Sequence, residues 1–196
     1  MIQRFLIAIF AAATTLLGAQ TANTIDLNVN TEDLEVSLSQ LQNFSSNPRF
    51  YYSADYLKAY DEEDREQSMI SGQMMIIGLT EIRGFTAGLG LKGLVTRIDT
   101  EGDDLDAAAV AVRLRLAYTL PLVVKTTVAV SGGYAPKSLC FSDLEGYTEM
   151  RGQVEAEVIE GGLVYGGLRK LDMKFKDIDD TYTFNSAPYV GIKFLF

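Results

Sequence analysis

The sequence predicts an all-β chain, folded as an antiparallel up-and-down β-barrel, and three observations support this. Apolar and polar residues alternate with a period of two in segment after segment, whereas the 3.6-residue period of an amphipathic helix is not sustained. Short turns alternate along the chain with longer, mostly acidic loops. The last strand has one apolar face and ends in an aromatic residue, Phe196.

The amino terminus has the three parts of a secretory signal peptide. Arg4 supplies a positive charge, a short apolar run follows, and small residues then predict cleavage after Ala19 or after Ala22. The apolar run is too short to span a membrane comfortably as a helix. We therefore predict a signal peptide over residues 1–22 and a single barrel domain over residues 23–196.

Ten segments show the two-residue alternation, and they are rich in the Val, Ile, Leu, Tyr, Phe and Thr residues typical of strands. In chain order they cover residues 25–30, 34–39, 50–56, 70–77, 85–96, 110–116, 125–133, 149–158, 164–169 and 187–196. The first alternates cleanly, with Ile25 and Leu27 against Asp26 and Asn28. The fourth is the weakest, because both of its faces carry apolar residues.

The connections indicate how these strands are arranged. Short turns are predicted at residues 43–48, 80–83, 121–122 and 161–162, and longer loops at 61–67, 98–106, 135–146 and 175–182. Membrane barrels have short turns at one end and longer loops at the other. This parity requires ten strands if residues 25–30 form the first. Eight strands are the alternative, if one strand has been divided wrongly.

The closing strand favours a barrel that faces lipid. Its apolar face is formed by Val190, Ile192, Phe194 and Phe196. Such a face, with a terminal aromatic residue, is typical of the last strand of an outer-membrane barrel. We expect these four residues to be the signal that the barrel-assembly machinery recognises. The sequence thus predicts an antiparallel up-and-down transmembrane β-barrel that is exported through the periplasm to the outer membrane.

In such a barrel the polar strand faces line the lumen. They carry charges of both signs, so we predict a lumen charge network of Asp55, Lys92, Arg113, Arg115, Lys125, Glu149, Arg151, Glu155, Glu157, Arg169 and Lys193, with Asp26 and Glu35 on the same faces. Side chains roughly fill the interior of a barrel of eight to ten strands, and buried charges must pair. We therefore expect a plugged lumen held by ion pairs. A narrow channel through the same residues is the alternative.

Composition argues against several functions. The net charge of −9 argues against a nucleic-acid partner. The single Cys140 excludes an internal disulfide and a cysteine-rich metal site. The chain has no His, the usual base for activating a Ser nucleophile, so we expect no enzymatic activity and no cofactor. Glu155 and Glu157 are better explained as partners of arginines than as a catalytic pair.

The acidic loops are expected to be solvated, with contacts to lipopolysaccharide or divalent ions as the alternative. Residues 99–104 look superficially like a calcium loop, but Gly is missing at the sixth position and Val110 occupies the twelfth, where the loop requires Glu.

Six segments resemble the YfaZ family of predicted outer-membrane barrel proteins, and the likeness covers nearly the whole mature chain. They are residues 33–36, 88–93, 134–139, 147–151, 165–169 and 189–194. The most specific is Tyr-Ala-Pro-Lys-Ser-Leu at 134–139, which an acidic-aromatic strand follows. The resemblance implies an outer-membrane location and no particular activity. We expect a monomeric structural or surface-binding barrel whose partners are outer-membrane lipid and lipopolysaccharide.

Overall fold

The computed structural model describes residues 20–30, 33–43, 48–60, 66–99, 104–176 and 181–196. Most of the predicted signal peptide lies outside these ranges. The central residues of three predicted acidic loops, at 61–65, 100–103 and 177–180, lie outside them as well.

The described residues form eleven strands and one single-turn 3-10 helix. The strands are β1 (Gln20–Val29), β2 (Asp33–Asn43), β3 (Arg49–Tyr60), β4 (Glu66–Leu79), β5 (Phe85–Asp99), β6 (Asp104–Leu120), β7 (Thr126–Ala135), β8 (Cys140–Ser142), β9 (Leu144–Ile159), β10 (Gly162–Phe175) and β11 (Tyr182–Leu195). The 3-10 turn covers Lys137–Leu139. No helix in the described ranges is long and apolar enough to cross a membrane.

Ten of the strands close into a barrel in which every neighbouring pair is antiparallel. The order around the barrel is β1-β2-β3-β4-β5-β6-β7-β9-β10-β11, and β11 pairs with β1 to close it. The short β8 lies beside β6. The predicted ten-stranded up-and-down barrel is confirmed. Eight strands is wrong because β1 pairs along both edges, with Leu27 opposite Val36 on β2 and opposite Ile192 on β11.

The two ends of the barrel differ in their connections. At one, the short-turn end, Gly84 and Gly161 have φ angles of +84° and +74°, which glycine adopts without steric cost. Asn23 and Phe196 also meet there, through two backbone hydrogen bonds of 3.0 Å. The other, the long-loop end, carries the longer loops. One tight turn interrupts that pattern, where the Asp33 amide donates to Oδ1 of Asn30 at 2.6 Å.

The outer surface of the barrel is an apolar band. Large apolar side chains are exposed on every barrel strand, among them Leu27, Leu91, Leu114, Val154 and Ile192. Exposed tyrosines, Tyr56 and Tyr134, lie toward the long-loop end, and Phe194 and Phe196 lie at the short-turn end. An apolar outer band with aromatic residues toward its ends is typical of a membrane barrel, and the exposure of these side chains shows that the apolar strand faces point outward as predicted.

Polarity reverses along β10, near the long-loop end. Within the apolar band Leu168 is exposed outside and Arg169 is buried in the lumen. Two residues further along the strand, Lys170 is exposed on the outside, while Leu171 is fully buried on the inside. Apolar residues on the inside and charges on the outside are what a barrel surrounded by water requires, so this end of the barrel projects beyond the apolar band.

This projecting part is filled by an apolar cluster, the apolar plug. Its large members are Leu57, Ile98, Leu144, Leu171, Met173 and Phe175. The sequence predicted a plugged lumen held by ion pairs. In this part of the interior, apolar side chains fill the space in their place. The physical reason is the reversed polarity: outside the lipid, burial of apolar side chains favours the inside of the barrel, as in a soluble protein.

Candidate functional site

Below the apolar plug lies a layer of paired charges, the lumen charge layer. Its centre is Glu149 on β9, which is 1% exposed. Its Oε2 lies 2.8 Å from Nζ of Lys92 and also accepts hydrogen bonds from Arg113 and, at 2.6 Å, from Tyr147. Its Oε1 lies 3.6 Å from Arg151. Cations from β5, β6 and β9 therefore converge on one carboxylate.

A chain of ion pairs continues from Glu149 across the lumen to β2. Arg151 also binds Glu35, with 3.0 Å between Nη2 and Oε1. The other oxygen of Glu35 lies 2.7 Å from Nη1 of Arg169. Arg169 in turn pairs with Asp33, and both of these side chains are fully buried. Each arginine is thus shared between two carboxylates, which compensates its charge more completely than one partner would.

A third group of charges lies closer to the short-turn end. Glu155 pairs with Lys193 at 2.9 Å and with Arg115 at 3.6 Å. Lys193 is also 3.7 Å from Asp26, which accepts a hydrogen bond from Tyr165. This group is more open to solvent than the first two, since 30% of the Arg115 side chain is exposed.

Asp55 belongs to the layer but is held differently. Its carboxylate accepts hydrogen bonds from the hydroxyls of Ser37, Ser53 and Ser71 on β2, β3 and β4. The structure places no cation within ion-pair distance of it among the described residues. Asp55 therefore lies in the lumen charge layer, but serine hydroxyls and not cations bind its carboxylate.

Two predicted members lie at the rim and not in the layer. Lys125 is in the β6–β7 turn with 71% of its side chain exposed, and it pairs at 3.2 Å with Glu157, near the end of β9. The prediction that they lie in the lumen is wrong. Lys125 lies between the end of β6 and the start of β7, and Glu157 lies two residues before the end of β9, so both side chains are at the short-turn end. The sequence suggested arginines 113, 115 and 151 as partners of Glu155 and Glu157. Glu155 does pair with Arg115, at 3.6 Å, whereas Glu157 pairs with Lys125.

Two tyrosines lie flat against glycines on the lumen wall. Tyr189 on β11 lies against Gly167, where an added Cβ would sit 2.8 Å from the ring, and Tyr165 lies against Gly191 in the same way. This leaves the Tyr189 ring free to face the guanidinium carbons of Arg151 and Arg169 at 5.5 and 5.7 Å. These cation–π contacts add to the ion pairs that hold the arginines in place.

Sequence reasoning missed several residues of the layer. Asp33, Asn28, Tyr147 and Asn185 were not among the predicted members. Asn28 donates to Glu35, and Asn185 donates to Asp33 and accepts from Nε of Arg169 at 3.0 Å. The alternation placed Asn28 on the polar face of the first strand, but its neutral side chain gave no reason to include it in a charge network.

The third long loop, residues 135–146, lies wholly within the described ranges, and it covers one side of the plug. Leu139 and Cys140 pack against the apolar cluster, and the Cys140 thiol lies 3.7 Å from the carbonyl of Ala135. Burial raises the pKa of this thiol. On the solvent side Lys137 pairs with Glu145 at 2.6 Å, and this hydrogen bond lowers the pKa of Glu145.

The predicted assembly signal lies on the outer surface. Val190, Ile192, Phe194 and Phe196 are all exposed on the apolar face of β11 and its terminal residue. Phe194 lies opposite Ile25, which places it where the strand that closes the barrel meets the first strand.

The lumen charge layer is held by paired side chains. Among the described residues no group of three or more Cys, Asp or Glu is placed to hold a metal ion. Most of the lumen carboxylates are bound by cations. The layer joins strands on opposite sides of the barrel.

The comparisons with known proteins identify one family for this chain. No curated protein matches the sequence significantly. One solved chain, from work on the mechanism behind the in-meso crystallization of membrane proteins, aligns with a TM-score of 0.46 and 7% sequence identity, over 91% of this chain and 83% of that one. The YfaZ precursor family matches residues 4–196, which is nearly the whole chain. The chain therefore belongs to the YfaZ precursor family.

Proposed function

We propose that this chain is an outer-membrane β-barrel with a structural or surface-binding role, and that its lumen does not conduct. The observation that supports this most strongly is the chain of ion pairs across the lumen. It runs from Lys92 through Glu149, Arg151 and Glu35 to Arg169, and so joins β5, β9, β2 and β10.

Two barriers lie in series along the barrel axis. The lumen charge layer leaves a cavity of only about 80 Å³ between its side chains. Beyond it, toward the long-loop end, the fully buried Leu171, Met173 and Phe175 fill the interior. An ion crossing the barrel would have to displace paired charges and then enter an apolar region, and the second step carries a large desolvation penalty.

The location in the outer membrane rests on several features together. The apolar band with its aromatic girdles supports burial in lipid, and the predicted signal peptide supports export. Family membership fits the same location. We infer that outer-membrane lipid and lipopolysaccharide surround the apolar band, that the assembly machinery recognises β11, and that the barrel is a monomer.

Planar-bilayer recording tests the absence of conduction. The barrel is refolded, inserted and compared with a protein-free bilayer and with a general porin in the same lipid. We expect no current steps above the protein-free baseline. Discrete steps in the wild type, with an ion selectivity that changes in Arg115→Gln, would show that the lumen is a channel and that the closure argument is wrong.

The surface role is tested at the long-loop end. We expect the acidic loops to act as solvated segments, so calorimetric titration of the refolded barrel with Ca²⁺ should give no saturable heat. Saturable heat would indicate an ion site in these loops, and would turn the proposal toward divalent-ion bridging to lipopolysaccharide.

A further inference from the structure

We propose that the short-turn end of the lumen is a binding site for a small amphipathic carboxylate. A second cavity, of about 220 Å³, lies there beneath the lumen charge layer. Thr24, Leu41 and Ile77 line it, and each lies close to the short-turn end of its strand. The cavity is therefore on the side of the charge layer opposite to the apolar plug.

The charges in its lining are all positive. Arg113, Arg115 and Lys193 face the cavity, and no carboxylate is among its lining residues in the part of the chain that is described. Glu149, Glu155 and Asp26, the carboxylates that pair with these cations, are not among its lining residues. An anion in the cavity therefore meets a positively charged lining.

Two of the cations retain hydrogen-bonding capacity. The Arg113 side chain is almost fully buried, yet its Nε has no hydrogen-bond partner among the described residues. Arg115 lies 3.6 Å from its carboxylate, too far for a good hydrogen bond, and is the most exposed of the three. A carboxylate in the cavity would give the exposed Arg115 guanidinium a closer acceptor, and charge-assisted hydrogen bonds of this kind are the strong ones.

The remaining wall is apolar. Leu41, Met75 and Ile77 line the cavity, and Met75 is buried against the lumen wall. Inorganic phosphate would satisfy the cations but would leave this wall in contact with water. A carboxylate with a short alkyl chain satisfies both parts of the lining, and small-molecule sites generally combine apolar walls with a few placed polar groups.

The experiment is isothermal calorimetry on the barrel in phosphatidylcholine nanodiscs, with empty nanodiscs subtracted. The probes are hexanoate, hexanol, hexylamine and inorganic phosphate. We expect saturable binding of hexanoate and none of the other three. Equal heats for hexanoate and hexanol would show partition into lipid, and binding of phosphate as tight as that of hexanoate would show that the apolar wall contributes nothing. Either result overturns the proposal.

Arg115→Gln is the test variant, because Glu155 keeps Lys193 as its closer partner when Arg115 is changed. We expect the affinity for hexanoate to fall about tenfold, the effect of losing one charge-assisted hydrogen bond. Lys125→Gln removes a cation from the same end of the barrel but outside the cavity, and should leave the affinity unchanged. A folded barrel changes its gel mobility only when it is heated in detergent. If Arg115→Gln keeps this change, and is therefore folded, unchanged binding of hexanoate refutes the site. If that variant does not fold, the four-probe comparison on the wild type still decides.

Discussion

Replacing Glu149 by Gln removes the carboxylate at the centre of the lumen charge layer while keeping its shape. Lys92 at 2.8 Å and Arg113 then lose their nearest negative charge, whereas Arg151 keeps Glu35. Breaking a buried ion pair by removing one partner costs about 3–5 kcal/mol, because the other charge stays buried without compensation. We expect the free energy of unfolding to fall by about 4 kcal/mol within this range.

The assay is urea unfolding of the barrel in lipid vesicles, followed by circular dichroism. The matched control is Glu157→Gln, which breaks the exposed rim pair with Lys125 and should leave the midpoint unchanged within error. The double variant with Arg113→Gln should lose less than the sum of the two single variants, because the two residues share one interaction. A loss in Glu149→Gln as small as that in Glu157→Gln would refute the reasoning that charge pairing holds the lumen.

Three further predictions concern the wall, the plug and the topology. Gly167→Ala places a Cβ against the backbone carbonyl oxygen of Gly152 and the Tyr189 ring, and it should cost about 1–3 kcal/mol, measured by the same unfolding assay. Gly93→Ala, with open space around it, should be nearly neutral. Leu171→Ala should cost about 2–5 kcal/mol by emptying part of the plug, and a smaller loss would mean that the plug is loosely packed. We expect the long-loop end to face the cell exterior, so a membrane-impermeant maleimide should label Cys140 in intact cells, slowly because burial raises the thiol pKa and faster as rising pH forms the thiolate. Labelling in lysed but not in intact cells would place this end on the periplasmic side.

Much of the fold could be predicted from the alternation together with the order of turns. With residues 25–30 counted as the first strand, these indicated ten antiparallel strands, and one register places every side chain of a strand. The outward position of Val190 and Ile192 followed only because the signal peptide and the closing strand indicated lipid outside the barrel. The segment 25–30 was the uncertain one, since a single edge strand would look the same in sequence. Its pairing with both β2 and β11 is a non-local property of the closed barrel.

The reversed polarity at the long-loop end could not be predicted with the rule that was applied. Along β10 the same alternation continues from Arg169 to Leu171 without a break, and only the medium outside changes. A rule that sends apolar residues to the lipid therefore places Leu171 and Met173 on the wrong face. The charged Lys170, Asp172 and Lys174 that alternate with them mark the change once the barrel is seen to extend beyond the apolar band.

The charge layer was predicted by residue type and face, but its pairing was not. Arg151 reaches Glu35, which is 116 residues away in sequence, because the barrel brings β9 and β2 to face each other across the lumen. Such pairs depend on stagger between strands, which the sequence does not show. The neutral partners, such as Asn185, were missed for the same reason.

The most direct test of the central claim is the gel mobility of the protein from isolated outer membranes, boiled and unboiled in detergent. A barrel whose apolar band faces lipid should be found in that membrane fraction, resist the detergent when unboiled and change its mobility only on heating. A soluble periplasmic protein with no shift would contradict the account, because the exposed Leu91, Val154 and Ile192 would then have no lipid to contact.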